Sequence, residues 1–373
     1  MGTKAGEGLE GIVAAPSSIC SIENGVLRYR GIAIEELSQK ASFEEVVYLL
    51  WYGKLPTQAE LAKLKLALDD QAQLSEPVIS AMQSFPKKAN FMDVLRTTVS
   101  LMSFYDPDDG DESLEANQRK ALRLTAQIPH LITSWEHIRQ QRQPLYPKKG
   151  VGMAANFIYM LHGKDPSALE VKTYDRALVL HADHEFNAST FAARVTAATL
   201  SDMYSSVTTA IGTLKGPLHG GANQKVMETL LSIGELENVE PYLKAAFEKK
   251  ERIMGFGHRV YKTGDPRARE LKQMSELLSK ERGETKWFEM SKKIEEIVNR
   301  DKKLLANVDF YSASTYFMLG IPFDMYTPIF AMSRISGWTA HIMEQLTNNR
   351  LIRPRADYIG VAEAHYIPME RRT

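Results

Sequence analysis

The sequence predicts a mainly α-helical fold, and three observations predict it. Apolar residues recur at i, i+3, i+4 and i+7 through much of the chain. Capping boxes stand ahead of two of those runs. The strand–helix alternation that a parallel sheet requires is absent. The elements follow in order. From Ser18 to Tyr29 polar and apolar residues alternate loosely around Asn24-Gly25, the dipeptide of a type I′ turn, so one small hairpin is expected near the start. Ser42 and Glu45 form a capping box, with Phe43, Val46, Val47, Leu50 and Trp51 on one face behind it and Gly53 as the stop. Thr57 and Glu60 repeat the device ahead of Leu61, Leu64 and Leu68. Val226, Leu230 and Ile233 mark a helix after the glycines at 216–221. Thr327 and Pro328 read as the cap and first residue of a long helix that carries Ile329, Phe330, Ile335, Trp338 and Ile342 and ends near Asn348. Asp106 to Glu115 and Ser279 to Lys286 read as exposed connections. Turn chemistry is densest at 216–221, 255–257 and 264–266, with Pro322 later. A smaller domain spanning 220–325 is therefore expected to hinge on a larger one built from 1–219 and 326–373.

Composition excludes several classes of function. The chain has 373 residues, enough for two or three domains at about 150 each. Lys and Arg total 46, as do Asp and Glu. Zero net charge argues against a nucleic-acid protein held by counterion release and against a basic membrane-surface protein. The single cysteine, Cys20, cannot form an internal disulfide, which favours a reducing compartment. It has no histidine or helix start beside it in sequence and reads as inert. The start of the chain shows no secretory signal, and no uncharged apolar run reaches the roughly 18 residues of a membrane span. The expectation is a cytoplasmic enzyme, in which the sequon at Asn187 is a chance match. There is no P-loop or GxSxG motif.

Isolated polar groups in apolar surroundings mark a candidate site. Between Leu304 and Phe323 the only acid or base other than tyrosine is Asp309, in NVDFYSAS. Desolvation would raise its pKa towards that of a working base, and a helix N-cap is the structural alternative. Arg334 is the only permanent charge between Asp324 and Glu344. It cannot discharge itself, so it needs an anion, either a structural carboxylate or a substrate. His219, in GPLHGGANQ, precedes a helix start that disfavours imidazolium; it is a neutral donor or a turn residue. His258 lies in GFGHRVYKTGDPRA, where glycines and Arg259, Lys262, Arg267 and Arg269 suit a phosphate or carboxylate, or form a solvated basic turn. His181 and His184 at i, i+3 can share a helix face, but HxxHE is not HExxH, and a substrate-binding or core role ranks above a metal. Arg353 and Arg355, around Pro354, read as a solvated tail.

Taken together, HADHEFNAST, GPLHGGANQ, GFGHRVYKTGDPRA, NVDFYSAS, SRISGW and RPRADYIG resemble citrate synthase in its short bacterial and archaeal form, in order and spacing, over about 8–366. The resemblance implies an all-α, two-domain homodimer that condenses acetyl-CoA with oxaloacetate, with no cofactor and no metal. It implies that Asp309 is the base, that His219 donates to the enol oxygen and that His258 protonates the oxaloacetate carbonyl oxygen. Arg267, Arg334 and Arg353 would hold the substrate carboxylates with His184 assisting, Arg353 reaching across from the other subunit. CoA would lie against Gly255, Phe256 and Gly257, near Arg259 and Lys262. Arg194 has no implied role. The close relative 2-methylcitrate synthase uses propionyl-CoA and shares these residues; a metal-dependent hydrolase and a non-catalytic helical scaffold are more distant readings.

Overall fold

A computed structural model describes residues 7–9, 11–258, 261 and 264–372. The expected hairpin is present: β1 (Cys20–Glu23) pairs antiparallel with β2 (Val26–Tyr29), Glu23 facing Val26, and β3 (Ile32–Ala33) adds to the far edge of β2. Asn24 and Gly25 both have positive φ, 52° and 78°, as a type I′ turn requires. All other regular structure among the described residues is helical. The first ten helices are α1 (Ile34–Lys40), α2 (Phe43–Tyr52), α3 (Gln58–Gln71), α4 (Glu76–Ser84), α5 (Phe91–Met102), α6 (Leu114–Arg139), α7 (Met153–His162), α8 (Ala168–His181), α9 (Ala188–Ala197) and α10 (Met203–Leu214). Six follow: α11 (Ala222–Ile233), α12 (Val239–Glu248), α13 (Pro266–Arg282), α14 (Lys286–Lys302), α15 (Val308–Met318) and α16 (Tyr326–Thr347), with a few single 3-10 turns between elements. Both capping boxes close as read: Ser42 with Glu45 on α2, Thr57 with Glu60 on α3.

The core is organised around α16. Eighteen of its 22 residues are buried, among them Ile329, Ile335, Trp338 and Ile342, all at 0% exposure. A helix apolar on every side must be surrounded, and α2, α5, α6, α8, α9, α10 and α11 all pack on it. Each fully buried aliphatic or aromatic side chain contributes about 1.5–3 kcal/mol. Beyond residue 220, α11, α13 and α14 pack against α15, and α12 against α14; α13 also contacts α1 and α8.

Several sequence expectations need correction. The last long helix begins at Tyr326, directly after a 3-10 turn at Phe323–Met325, so Thr327 is inside it rather than its cap. Pro328 is still in the first turn, where its missing N–H has no helical partner to lose. The acidic segment after Tyr105 is not simply surface. Asp106 is 8% exposed, clamped by Arg123 at 2.7–2.8 Å and bonded by the Tyr204 hydroxyl. In the second exposed connection, Gly283 caps α13 at φ 65°, but Ser279 is buried inside that helix. No described helix is long and apolar enough to cross a membrane.

Candidate active site

Most of the site residues sit near helix ends, with Arg334 inside α16, and the local sequence explains each position. Asn307 caps α15, its side chain accepting the Asp309 amide at 3.1 Å. Asp309 is therefore in the first turn and is not the cap. The cap is tied to the glycine turn: Asn307 N–H donates to the Gly255 carbonyl and its Nδ2 to the Gly257 carbonyl, each at 2.9 Å. Gly257 N–H donates to Leu305 O at 2.9 Å. Gly255 has φ 81°, and a Cβ there would lie 2.8 Å from Val226 and 2.9 Å from Phe310, so only glycine lets the two segments close up. Phe256 is buried with its ring 4.5 Å from Phe310. These backbone groups, expected to meet the adenine of CoA, are thus bonded to 305–307. Arg259 and Lys262 lie outside the described residues.

Asp265 caps α13 through the Arg267 amide and grips the Arg267 guanidinium at 2.8 and 2.9 Å; it also accepts Val308 N–H at 3.0 Å. The pair is almost fully buried. Burial opposes the charge on Arg267, but the Asp265 carboxylate outweighs it and holds its pKa up. Arg334 differs. It is 1% exposed; its Nε donates to His181 O at 2.7 Å, and no carboxylate among the described residues comes within 4 Å of it. Burial lowers its pKa, with Asp183 the leading opposing charge. A buried guanidinium with free Nη groups is a ready site for an anion. The structural-carboxylate reading of Arg334 is not realised.

Three histidines complete the cleft. The Ser189 amide donates to His219 Nε2 at 3.2 Å, with Ser189 Oγ 2.8 Å from the same nitrogen. An Nε2 that accepts from an amide carries no proton, so the neutral ring is protonated on Nδ1, which has no protein partner among the described residues. Burial, then the Arg334 charge, lowers the His219 pKa to about 4. At His258 the Tyr261 amide donates to Nδ1 at 3.2 Å, which puts the neutral ring's proton on Nε2. His184 Nε2 lies 3.1 Å from the Tyr261 hydroxyl, and its ring is 5.4 Å from that of His258. Burial and then Arg267 and Arg334 hold the His184 pKa well down.

Asp309 stays partly open to the cleft, but enough protein surrounds it for desolvation to raise its pKa to about 6 against the pull of Arg267 and Arg334. Its carboxylate accepts no hydrogen bond among the described residues. Arg267 and Arg334 both act on Asp309 and His184, and Arg334 also acts on His219, so these side chains lie within reach of shared charges.

Other expectations fall outside it. Arg353 is exposed and lines a separate groove of about 880 Å³ between 9–18, Phe191 and 344–354. It makes no hydrogen bond there among the described residues, and a single chain does not bring it to Arg267 and Arg334. Arg194 finds its anion in Glu344 at 2.7 Å and bonds His341, whose Nε2 meets Asp183 at 3.1 Å. His181 ends α8 while His184 lies past it, so the two do not share a helix face; no metal-holding cluster occurs among the described residues. Cys20 is beside Asp183, and burial and then that carboxylate raise its pKa well above the usual thiol range. Sequence reading missed Tyr261, Asp265, Ser189 and Trp338. Only Asp265 carried a legible signal, an Asp-Pro at a helix start.

The sequence model of the family described as citrate synthase, C-terminal domain, matches residues 8–355. Citrate synthase 2 of Bacillus subtilis is 54% identical over 369 residues, 99% of each chain. The 2-methylcitrate synthase 1 of Corynebacterium glutamicum is 42% identical over 98% of each. Among solved structures, a citrate synthase from Thermoplasma acidophilum, in ternary complex with carboxymethyl coenzyme A and oxaloacetate, superposes with a TM-score of 0.92 at 33% identity, covering 98% of this chain and 99% of that one.

Proposed function

The chain belongs to the citrate synthase family of acyltransferases, and on that premise we propose that it condenses acetyl-CoA with oxaloacetate and hydrolyses the citryl thioester to citrate and CoA. One observation carries the reading. The Asp309 carboxylate, His219 Nδ1 and the Arg334 Nη groups are three chemically distinct functions left without a hydrogen-bond partner among the described residues.

Each fits a step of the reaction. Oxaloacetate binds first, a carboxylate on Arg334 and the other end towards Arg267 and His184. Asp309 removes a proton from the thioester methyl. That carbon is a very weak acid, so a desolvated base is needed and the enolate oxygen must receive a hydrogen bond as charge develops. Neutral His219 donates it from Nδ1. A histidine with its pKa lowered to about 4 takes up a proton reluctantly, so the ring is neutral near pH 7 and hydrogen-bonds the enol oxygen in that form. The nucleophilic carbon attacks the oxaloacetate carbonyl, whose oxygen takes a proton from His258. Water then cleaves the thioester. The base, the enol donor and the anion holder are all side chains, so the chemistry needs no cofactor.

The protein acts in the cytoplasm as a homodimer in which Arg353 completes the partner's site. Residues 220–325 close over the rest once oxaloacetate is bound, excluding water from the enol. Acetyl-CoA should accordingly bind more tightly with oxaloacetate than without it.

The rival acyl donor is propionyl-CoA. One methylene is worth about 1–3 kcal/mol in a pocket of fixed size. The higher identity to the Bacillus citrate synthase supports the acetyl donor. Products formed from oxaloacetate with each thioester decide the matter: citrate at the higher kcat/KM is expected, and a preference for 2-methylcitrate would replace the reading.

A further inference from the structure

We infer that Trp338 is a positioning residue for the reaction, acting through Ser189 to hold the His219 ring in the orientation that presents Nδ1–H to the substrate; the inference rests on the function proposed above. Ser189 and Trp338 are both fully buried. Ser189 Oγ stands at a three-way junction, 2.8 Å from His219 Nε2, 2.8 Å from Asn187 Oδ1 and 3.1 Å from Trp338 Nε1.

An indole N–H can only donate, so Trp338 permanently occupies one lone pair of the serine oxygen. The hydroxyl has one proton left to place, on His219 Nε2 or on Asn187 Oδ1. Asn187 Oδ1 already accepts the Thr190 amide at 3.2 Å as the cap of α9. The Ser189 amide, also 3.2 Å from Nε2, excludes a proton on that nitrogen. Amide and hydroxyl together therefore fix the tautomer and the rotation of the ring, and Trp338 fixes the hydroxyl. The Trp338–Ser189 bond itself is fully buried, where solvent does not replace a lost donor. Trp338 is also one helical turn beyond Arg334, so α16 carries both the anion site and the prop behind the enol donor.

Trp338→Phe keeps an aromatic ring and deletes the donor. Loss of one neutral hydrogen bond predicts a kcat about 3- to 10-fold lower with acetyl-CoA, and the KM for oxaloacetate should be unchanged. In a Ser189→Ala background, where the relay is already cut, the same substitution should change kcat by less than about 2-fold. A role confined to core packing would lower both backgrounds alike. Should the phenylalanine variant not fold, the isostere with sulfur in place of N–H, Trp338→β-(3-benzothienyl)alanine, takes its place. Nitrogen-15 shifts of His219 give an independent reading: a single Nδ1–H tautomer in the wild type, and a mixture in the variant, where the freed hydroxyl lets the ring turn away from the Ser189 amide. Equal losses in both backgrounds, or an unchanged kcat with an unchanged tautomer, would overturn the inference. If the wild type releases no thiol from acetyl-CoA and oxaloacetate, the functional reading has failed instead, and the nitrogen shifts still test the Trp338 relay.

Discussion

At the scale of single residues, the site works by withholding partners. Arg267 has Asp265, and Arg194 has Glu344, but among the described residues Arg334 hydrogen-bonds only a carbonyl. Asp309 is lifted to about 6 by burial while Arg267 and Arg334 hold it down. As the proposed base it works as the carboxylate, so activity should fall as acid protonates it. His219, with a pKa near 4, adds no second limb above that value. Bound oxaloacetate brings two negative charges that offset the two arginines, so the limb should then lie above 6. We expect kcat/KM for acetyl-CoA, measured at saturating oxaloacetate, to fall about tenfold per pH unit below a single limb at or above pH 6. A limb near pH 4 would mean that the titrating base is an ordinary solvated carboxylate. The lone charges in apolar runs made Asp309 and Arg334 legible in the sequence. Tyr261 and Ser189 were not, because an unremarkable tyrosine or serine acquires its role only from what folds beside it.

At the scale of elements, α16 sets the distances. Gly337 lies inside it, and a Cβ there would fall 2.4 Å from Asp183 Oδ1 and 2.5 Å from the Ala182 carbonyl. The helix thus presses directly on the turn that leads into His184. Gly212, also within a helix, has nothing nearer than Arg96 Cδ at 3.7 Å. Two chemically identical substitutions should therefore have opposite outcomes. Gly337→Ala should cost about 1–3 kcal/mol by overpacking and weaken oxaloacetate binding. Gly212→Ala should stabilise by up to about 1 kcal/mol through helix propensity. Denaturant melts of both variants check this; equal effects would show that the close contact at 337 is easily relieved. The capping boxes and the Asn24-Gly25 turn were legible because each is a local hydrogen-bond or backbone requirement. The start of α16 was misplaced because a 3-10 turn feeds straight into it, which Thr327-Pro328 cannot reveal. The clamp on Asp106 was invisible because its partners, Arg123 and Tyr204, are distant in sequence.

At the scale of the whole molecule, the site is assembled from segments near 184, 219, 258, 309 and 334, and the tail adds a further expectation. Residues 353–367 are exposed throughout, with Tyr358, Ile359 and Tyr366 among them, and Arg353 makes no hydrogen bond among the described residues. If Arg353 serves the partner, exchanging subunits between Arg353→Ala and Asp309→Asn homodimers puts both lesions in one site and none in the other. Activity should return to about a quarter of wild type after random reassortment of a two-fold dimer. No recovery despite proven exchange would remove Arg353 from the partner's site. Composition and motif order made the helical fold and the family readable, but where chain segments meet is a property of the assembled structure. The central claim is that this assembly makes Asp309 the base that enolises the thioester, and Asp309→Asn tests it most directly. The amide is isosteric and cannot accept the proton, so oxaloacetate should bind as in the wild type while kcat for thiol release falls by roughly 10²–10⁴. A variant that binds oxaloacetate normally and keeps a near-normal kcat would contradict the account.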